Sequence, residues 1–173
     1  MISQKTIVLE DVLEKLFSYL PSMAMESGGQ TFPVTFGYGD EVELNVFLTQ
    51  REISDTYPLV WLLYPYKEKH TKINLEVENA SFILAVETNM SMQNKERLKT
   101  TIGNILMPLF FNIRHAFGSA NIINTNNEYD LVKHPNYSSS DSREESSGVF
   151  IWDALKVTTS FTVMDTCLKE IKF

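Results

Sequence analysis

The chain has one cysteine, Cys167, among 173 residues. A single cysteine excludes an intrachain disulfide and a cluster of thiolate zinc ligands within one chain. The three histidines, His70, His115 and His134, stand far apart and belong to no recognised metal-ligand spacing. We therefore interpret them as surface or helix-face residues, and we expect neither a metal nor a cofactor.

An excess of positive charge is also missing. The sequence has 15 Lys and Arg against 22 Asp and Glu, which gives a formal charge of −7 and a pI near 5.0. Proteins that wrap nucleic acid neutralise its phosphates with a basic face. This composition argues against that class of protein, although DNA is free to pass nearby without being bound.

Long hydrophobic runs are absent as well. The longest are residues 57–66 and 105–111, both far below the roughly 20 residues of a membrane-spanning helix. The first six residues show no apolar segment followed by the small-residue cleavage site of an export signal. We expect a soluble protein that folds in a reducing compartment and contacts no membrane.

Catalytic motifs are not found either. There is no Gly-x-Ser-x-Gly sequence around any serine. Glu41 and Glu43 share one face of a predicted strand and are candidates for a carboxylate pair, and Cys167 lies between Asp165 and Lys169. A solvated strand face and a small buried residue are the simpler interpretations, so we predict that the chain is not an enzyme.

The most informative segment that is present is residues 57–66, Tyr-Pro-Leu-Val-Trp-Leu-Leu-Tyr-Pro-Tyr. It is apolar on both faces and has a proline near each end, which is typical of a strand buried on both sides. With 173 residues and 43% hydrophobic content, the chain suits one domain that spans residues 1–173.

Helical periodicity appears in two places. Apolar residues from Leu9 to Leu20 follow a 3.6-residue spacing and predict an N-terminal amphipathic helix. A second such pattern predicts a long helix over residues 91–117, in which Pro108 should cause a kink or a break. Gly118 is a suitable end for this helix.

The other periodic segments alternate with a period of two and predict strands. Residues 32–36 and 42–48 should form a hairpin through Gly37 and Gly39, and residues 73–77 and 82–86 a meander with a turn at 78–81. A final strand is expected over residues 149–163. The predicted fold class is α+β, a mostly antiparallel sheet with the N-terminal helix and the long second helix packed on it.

Residues 121–148 contain few apolar side chains and predict a long polar loop. Such a loop either orders on a neighbouring subunit or is a plain surface insertion. On the first interpretation, its polar and aromatic side chains are the candidate interface residues: Asn124, Asn127, Tyr129, Tyr137, Ser140, Arg143 and Glu144.

This order of elements resembles the tail terminator, or tail completion, proteins of long-tailed bacteriophages. The resemblance is carried by residues 7–20, the strand at 57–62, the strand at 82–86 that leads into the helix at 91–117, and the closing strand at 152–163. It covers most of the chain as an order of elements with loose residue patterns.

The resemblance implies a structural virion protein that forms a hexameric ring, ends the tail tube and joins it to the head or neck. Its partners would be further copies of itself, the tail tube protein and head-completion or neck proteins, while DNA passes through the lumen without specific binding. It would be assembled in the bacterial host cytoplasm and reside in the virion. A neck or connector ring protein of another phage type and a small soluble enzyme are the alternatives.

Overall fold

The computed structural model describes residues 7–25, 30–50, 57–88, 91–137 and 151–164. Three helices form in this part of the chain: α1 (Leu9–Phe17), α2 (Glu41–Gln50) and α3, which covers residues 94–119. The strands are β1 (Met23–Ala24), β2 (Thr31–Phe32), β3 (Thr35–Gly39), β4 (Leu59–Leu63), β5 (Lys67–His70), β6 (Asn74–Thr88), β7 (Ile123–Thr125), β8 (Asp130–Tyr137) and β9 (Ile151–Met164).

Seven strands form one sheet, in which the two longest, β6 and β9, lie side by side at the centre. In one half of the sheet the order is β3-β4-β6-β9-β8, and in the other half β5 pairs with β6 while β7 pairs with β9. Every pairing is antiparallel except that of β3 with β4, which is parallel. The predicted α+β class with a mostly antiparallel sheet is confirmed.

One face of the sheet, called here the helix face, is covered by α1 and α3. The apolar side of α1 is fully buried, as its amphipathic periodicity predicts. Phe17 of α1 packs edge-on against Phe36, Phe82 and Phe117, with ring centroids 5.1, 6.1 and 6.1 Å away. The predicted packing of both helices on the sheet is therefore confirmed.

The opposite face is covered in part by α2. Leu44 and Leu48 of this helix pack in a second, smaller cluster with Trp61 of β4. The Trp61 ring lies so close to Gly37 that a Cβ there would be 2.6 Å from it, so only glycine fits without a shift. All five residues of β4 are buried, and the predicted two-sided burial of this strand is confirmed.

The segment after β3 was wrongly predicted to return as a hairpin strand; residues 41–50 instead form α2. Leu44 and Leu48 fit a period of two, but they are also four residues apart and therefore share one side of a helix. A capping box starts the helix: the Asp40 carboxylate accepts the Glu43 N–H at 2.8 Å, and the Glu43 carboxylate accepts the Asp40 N–H at 2.9 Å. The Asp-x-x-Glu spacing was the signal in the sequence.

Replacing Asp40 with alanine should lower the stability of the domain by about 1 kcal/mol, because the helix loses one arm of its capping box. Glu41→Ala is the matched control, since Glu41 lies in the same first turn and is not part of the box. Urea unfolding followed by circular dichroism measures both. Equal midpoints for the two variants would contradict the capping role.

The predicted meander turn at residues 78–81 is also wrong, because β6 continues through it as one strand. Between the regular pairs of β6 and β9, two residues of β6, Glu78 and Asn79, lie opposite a single residue of β9, Ser160. Asn79 takes a positive φ of 53° and donates its N–H to the Ser160 hydroxyl at 2.9 Å. The polar residues that suggested a turn form a β-bulge.

Pro108 neither breaks nor ends α3. The helix is α-helical at Asn94–Arg97, winds more widely as a π-helix at Leu98–Leu106 and returns to α-helix at Met107–Ser119. The Met107 N–H donates to the Ile102 carbonyl, five residues earlier. Pro108 therefore lies at the junction between two hydrogen-bond registers, where a residue without an N–H is tolerated.

The predicted loop at residues 121–148 contains two strands, β7 and β8, which both pair with β9. In β8, Leu131 packs on the core, while the next residue, Val132, is exposed. Residues 138–148 lie outside the described residues. The final strand is confirmed as β9.

Candidate functional site

The predicted interface residues separate into two places. Asn124 and Asn127 are exposed near the turn between β7 and β8, and Tyr129 packs half-buried beside them against the Phe110 ring at 5.6 Å. Tyr137 lies at the far end of β8, half-buried against the second cluster. Ser140, Arg143 and Glu144 lie outside the described residues, as does Cys167.

The turn at residues 126–129 is held in one shape by local hydrogen bonds. Asn127 has a positive φ of 59° and donates its N–H to the Thr125 hydroxyl at 3.1 Å. The Asn126 side chain binds Glu128 twice, and the Thr159 hydroxyl donates to the Glu128 carbonyl at 2.8 Å. These bonds make the turn a fixed part of the surface.

Next to this turn, α3 forms the wall of an open concavity of about 430 Å³, called here the α3 groove. Phe111 in its wall is 52% exposed, although it is a large apolar side chain. The ion pairs within 4 Å that occur in the described ranges do not involve Arg114. The groove is lined by Phe111, Arg114, His115, Gly118, Ser119 and Asn127.

A second surface, called here the tyrosine patch, consists of Tyr38, Tyr64, Tyr66 and Glu10. The Tyr38 and Tyr64 rings lie 6.1 Å apart, and those of Tyr64 and Tyr66 5.4 Å apart. Tyr38 is 49% exposed and Tyr64 37%. Glu10 Oε1 accepts a hydrogen bond from the Tyr64 hydroxyl and another, at 2.6 Å, from the Tyr66 hydroxyl.

These hydrogen bonds fix the charge of the patch. Partial burial raises the pKa of the Glu10 carboxyl, but the two tyrosine hydroxyls outweigh it, and the net pKa lies below its ordinary value of 4.5. Burial, together with the bond to Glu10, raises the pKa of Tyr64 and of Tyr66. At neutral pH the patch thus presents aromatic rings around one carboxylate.

The double variant Tyr64→Phe, Tyr66→Phe should raise the pKa of Glu10, because both donors to its carboxylate are lost. A carboxyl whose pKa is lowered on folding adds stability above its unfolded pKa and loses it as the pH falls through the folded value. The stability deficit of the variant should therefore be largest at neutral pH and shrink below about pH 4. NMR titration of Glu10 measures the pKa, and thermal unfolding against pH measures the deficit.

The matched control is Tyr38→Phe, which removes a hydroxyl of the same patch that makes no hydrogen bond to Glu10. It should leave the Glu10 titration unchanged. An unchanged Glu10 pKa in the double variant would contradict the role assigned to the two hydroxyls.

The tyrosine patch is not predicted by the sequence. Tyr64 and Tyr66 stand at the end of the strand predicted over residues 57–66, but Glu10 is far from them in sequence, within the predicted N-terminal helix. Packing of α1 against β3 is what brings them together. No local pattern reports such a contact.

Glu41 and Glu43, the carboxylates considered for catalysis, lie in the first turn of α2. Glu43 completes the capping box, and Glu41 is exposed beside it in the first turn of α2. They lie on a helix, so the prediction that they share one face of a strand is wrong. Across the described ranges, no group of three or more His, Cys, Asp or Glu side chains is placed to hold a metal ion.

Arg97 and Asp153 form an ion pair that is almost completely enclosed. Arg97 donates to Asp153 at 3.1 Å and to the Met92 carbonyl at 2.8 Å, and the Thr101 hydroxyl donates to the other Asp153 oxygen. Both charged side chains are at most 1% exposed. The cluster links the start of α3 to β9, and its complete burial indicates a structural role.

No protein-family model matches the chain, and comparisons with curated proteins and with solved structures found no match either. None of the helices in the described residues is both long and apolar enough to cross a membrane. The assignment of function therefore depends on the surfaces themselves.

Proposed function

We propose that this chain is a structural virion protein whose copies join head to tail into a ring, as in the phage tail terminators that its element order resembles. One observation supports the ring above all. In the described part of the sheet, the last strands are β3 and β5 on one side and β8 and β7 on the other, and no described strand pairs with their outer edges.

Open edges of this kind favour association. Unpaired N–H and C=O groups on an edge strand are a template for pairing with another chain. Because the two edges differ in sequence, one copy would present a different surface to each neighbour. Such heterologous contacts produce a ring when the rotation between copies closes.

Charge is consistent with a ring that surrounds DNA. The formal charge of −7 is repeated in every copy, so a closed ring is strongly acidic. Like charge repels the phosphates of a passing duplex and lets it slide without binding. On this proposal, six copies end the tail tube, with the tube protein on one side and head-completion or neck proteins on the other.

Native mass spectrometry and negative-stain imaging of the purified protein test the ring. We expect a six-fold closed particle at micromolar concentration. A monomer alone, both in isolation and after mixing with tail tubes, would contradict the proposal.

The position in the virion needs its own test, because a neck or connector ring would share the open edges and the acidity. Tail tube protein that polymerises in vitro should stop growing when this chain is added, and the particles should carry one ring at a tube end. Bovine serum albumin, added at equal mass, is the control. A ring that forms but leaves tube growth unchanged would favour the neck or connector assignment.

A further inference from the structure

The tyrosine patch and the α3 groove are chemically complementary. The patch offers three aromatic rings around the ionised Glu10. The groove offers the guanidinium of Arg114 beside the exposed ring of Phe111. A guanidinium binds carboxylates and also stacks on aromatic faces, so it satisfies both parts of the patch.

The two surfaces lie at opposite edges of the same sheet. Tyr38 belongs to β3, one of the two outermost strands on one side, and the Tyr64 N–H donates to the neighbouring Gly39 carbonyl. The groove reaches Asn127 in the turn between β7 and β8, which are the outermost strands on the other side.

They also lie at the same height along the strands. One row of paired residues crosses the sheet from β4 to β8: Leu63, Ser81, Thr158 and Asp130. Tyr64 follows the first member of this row, and Tyr129 precedes the last. Three antiparallel pairings separate β4 from β8, so these two strands run in opposite directions. The residue after Leu63 and the residue before Asp130 therefore lie beyond the row on the same side, which places Tyr64 and the turn at 126–129 at the same end of the sheet.

Both surfaces are on the helix face. Tyr38 pairs with Leu62, whose side chain packs in the cluster under α1 and α3, and Glu10 belongs to α1 itself. Arg114 and Phe111 are exposed residues of α3. Two copies placed side by side in the same orientation would therefore bring one patch next to the other copy's groove.

From this placement we propose that the α3 groove of one copy docks on the tyrosine patch of the next, with Arg114 inserted among Tyr38, Tyr64 and Tyr66 and paired with Glu10. The inference rests on the proposed ring and names the contact that closes it. The patch is already shaped in the single chain, because Glu10 holds two of its tyrosines. Preorganisation of this kind lowers the entropic cost of binding.

Chemical cross-linking tests the contact directly. In a Cys167→Ser background, Glu14→Cys places a thiol one turn from Glu10 on α1, and Gly118→Cys places one in the groove. A Cβ at Gly118 has no described neighbour closer than 3.9 Å, so the substitution fits. A short bis-maleimide should then link copies into a ladder that ends at the hexamer.

The control pair is Glu14→Cys with Lys99→Cys. Lys99 is exposed on the same helix, 12 residues before Phe111, which is the first groove residue on that helix. This pair should give few or no cross-linked oligomers. Equal ladders from both pairs would overturn the proposed contact.

Charge reversal gives an independent readout. Arg114→Glu should raise the dissociation constant between copies at least tenfold in analytical ultracentrifugation, while Lys99→Glu, which changes the net charge equally, should change it less than about twofold. Adding Glu10→Arg to Arg114→Glu should restore part of the affinity. Thermal unfolding of each variant shows that the change lies in association.

These outcomes distinguish failure of the proposed contact from failure of the proposed ring. The contact would be overturned, and the ring left intact, if Arg114→Glu formed a normal hexamer and the cysteine pair at 14 and 118 gave no cross-link between copies. A parent chain that stays monomeric would overturn both.

Discussion

Replacing Trp61 with alanine should unfold the domain or lower its melting temperature far below that of the parent. Trp61 is 5% exposed, packs with Leu44 and Leu48 of α2, and donates its indole N–H to the Gly39 carbonyl at 3.2 Å. Loss of a buried aromatic side chain costs about 3–5 kcal/mol. That is a large part of the total stability of a domain of this size.

Phe111→Ala is the control for this experiment, since it also truncates an aromatic ring but at an exposed position in the α3 groove. It should keep the parent melting temperature and weaken association. Differential scanning fluorimetry and ultracentrifugation measure the two effects. If Trp61→Ala melted normally and lost only assembly, Trp61 would lie at an interface and the two-sided burial of β4 would be wrong.

Asp153→Ala should lower the stability of the domain about as much as Trp61→Ala. It leaves the Arg97 guanidinium buried without its carboxylate and removes one of the two acceptors near the Thr101 hydroxyl. Breaking a buried ion pair by deleting one partner typically costs about 3–5 kcal/mol. Urea unfolding of the variant measures the loss, provided that it still folds.

The double variant Arg97→Met, Asp153→Leu tests the physical cause. Replacing both charges with apolar groups of similar size removes the uncompensated charge, so this variant should be more stable than Asp153→Ala alone. If the double variant were the less stable of the two, the cost would come from lost hydrogen bonds to Met92 and Thr88 and not from the isolated charge.

The sequence predicts well those elements whose periodicity is unambiguous. The stripe of α1 and the apolar run of β4 both required burial, and both were found where expected. Asp40 and Glu43 mark the start of α2 in the sequence, but alternation and helical spacing coincide at Leu44 and Leu48, so the period alone does not distinguish a strand from a helix.

The remaining errors have a tertiary cause. Residues 78–81 are polar enough for a turn, yet β9 holds them in one strand because Ser160 accepts the Asn79 N–H. Likewise β7 and β8 have few apolar residues, and pairing with β9 is what makes them strands. The tyrosine patch depends on contacts between distant segments that no local pattern encodes.

The central place of β9 has a consequence for the order of events in folding. Its partners in β6 precede it in sequence by the whole of α3, β7 and β8. Pairing between segments that are distant in sequence is slow, because the loop between them must close first. The strand made last among those described is the one that joins β6 to β7 and β8, so neither half of the sheet is complete until it arrives. Loss of β9 would therefore leave β6 without a link to β7 and β8 and would remove both open edges on that side together.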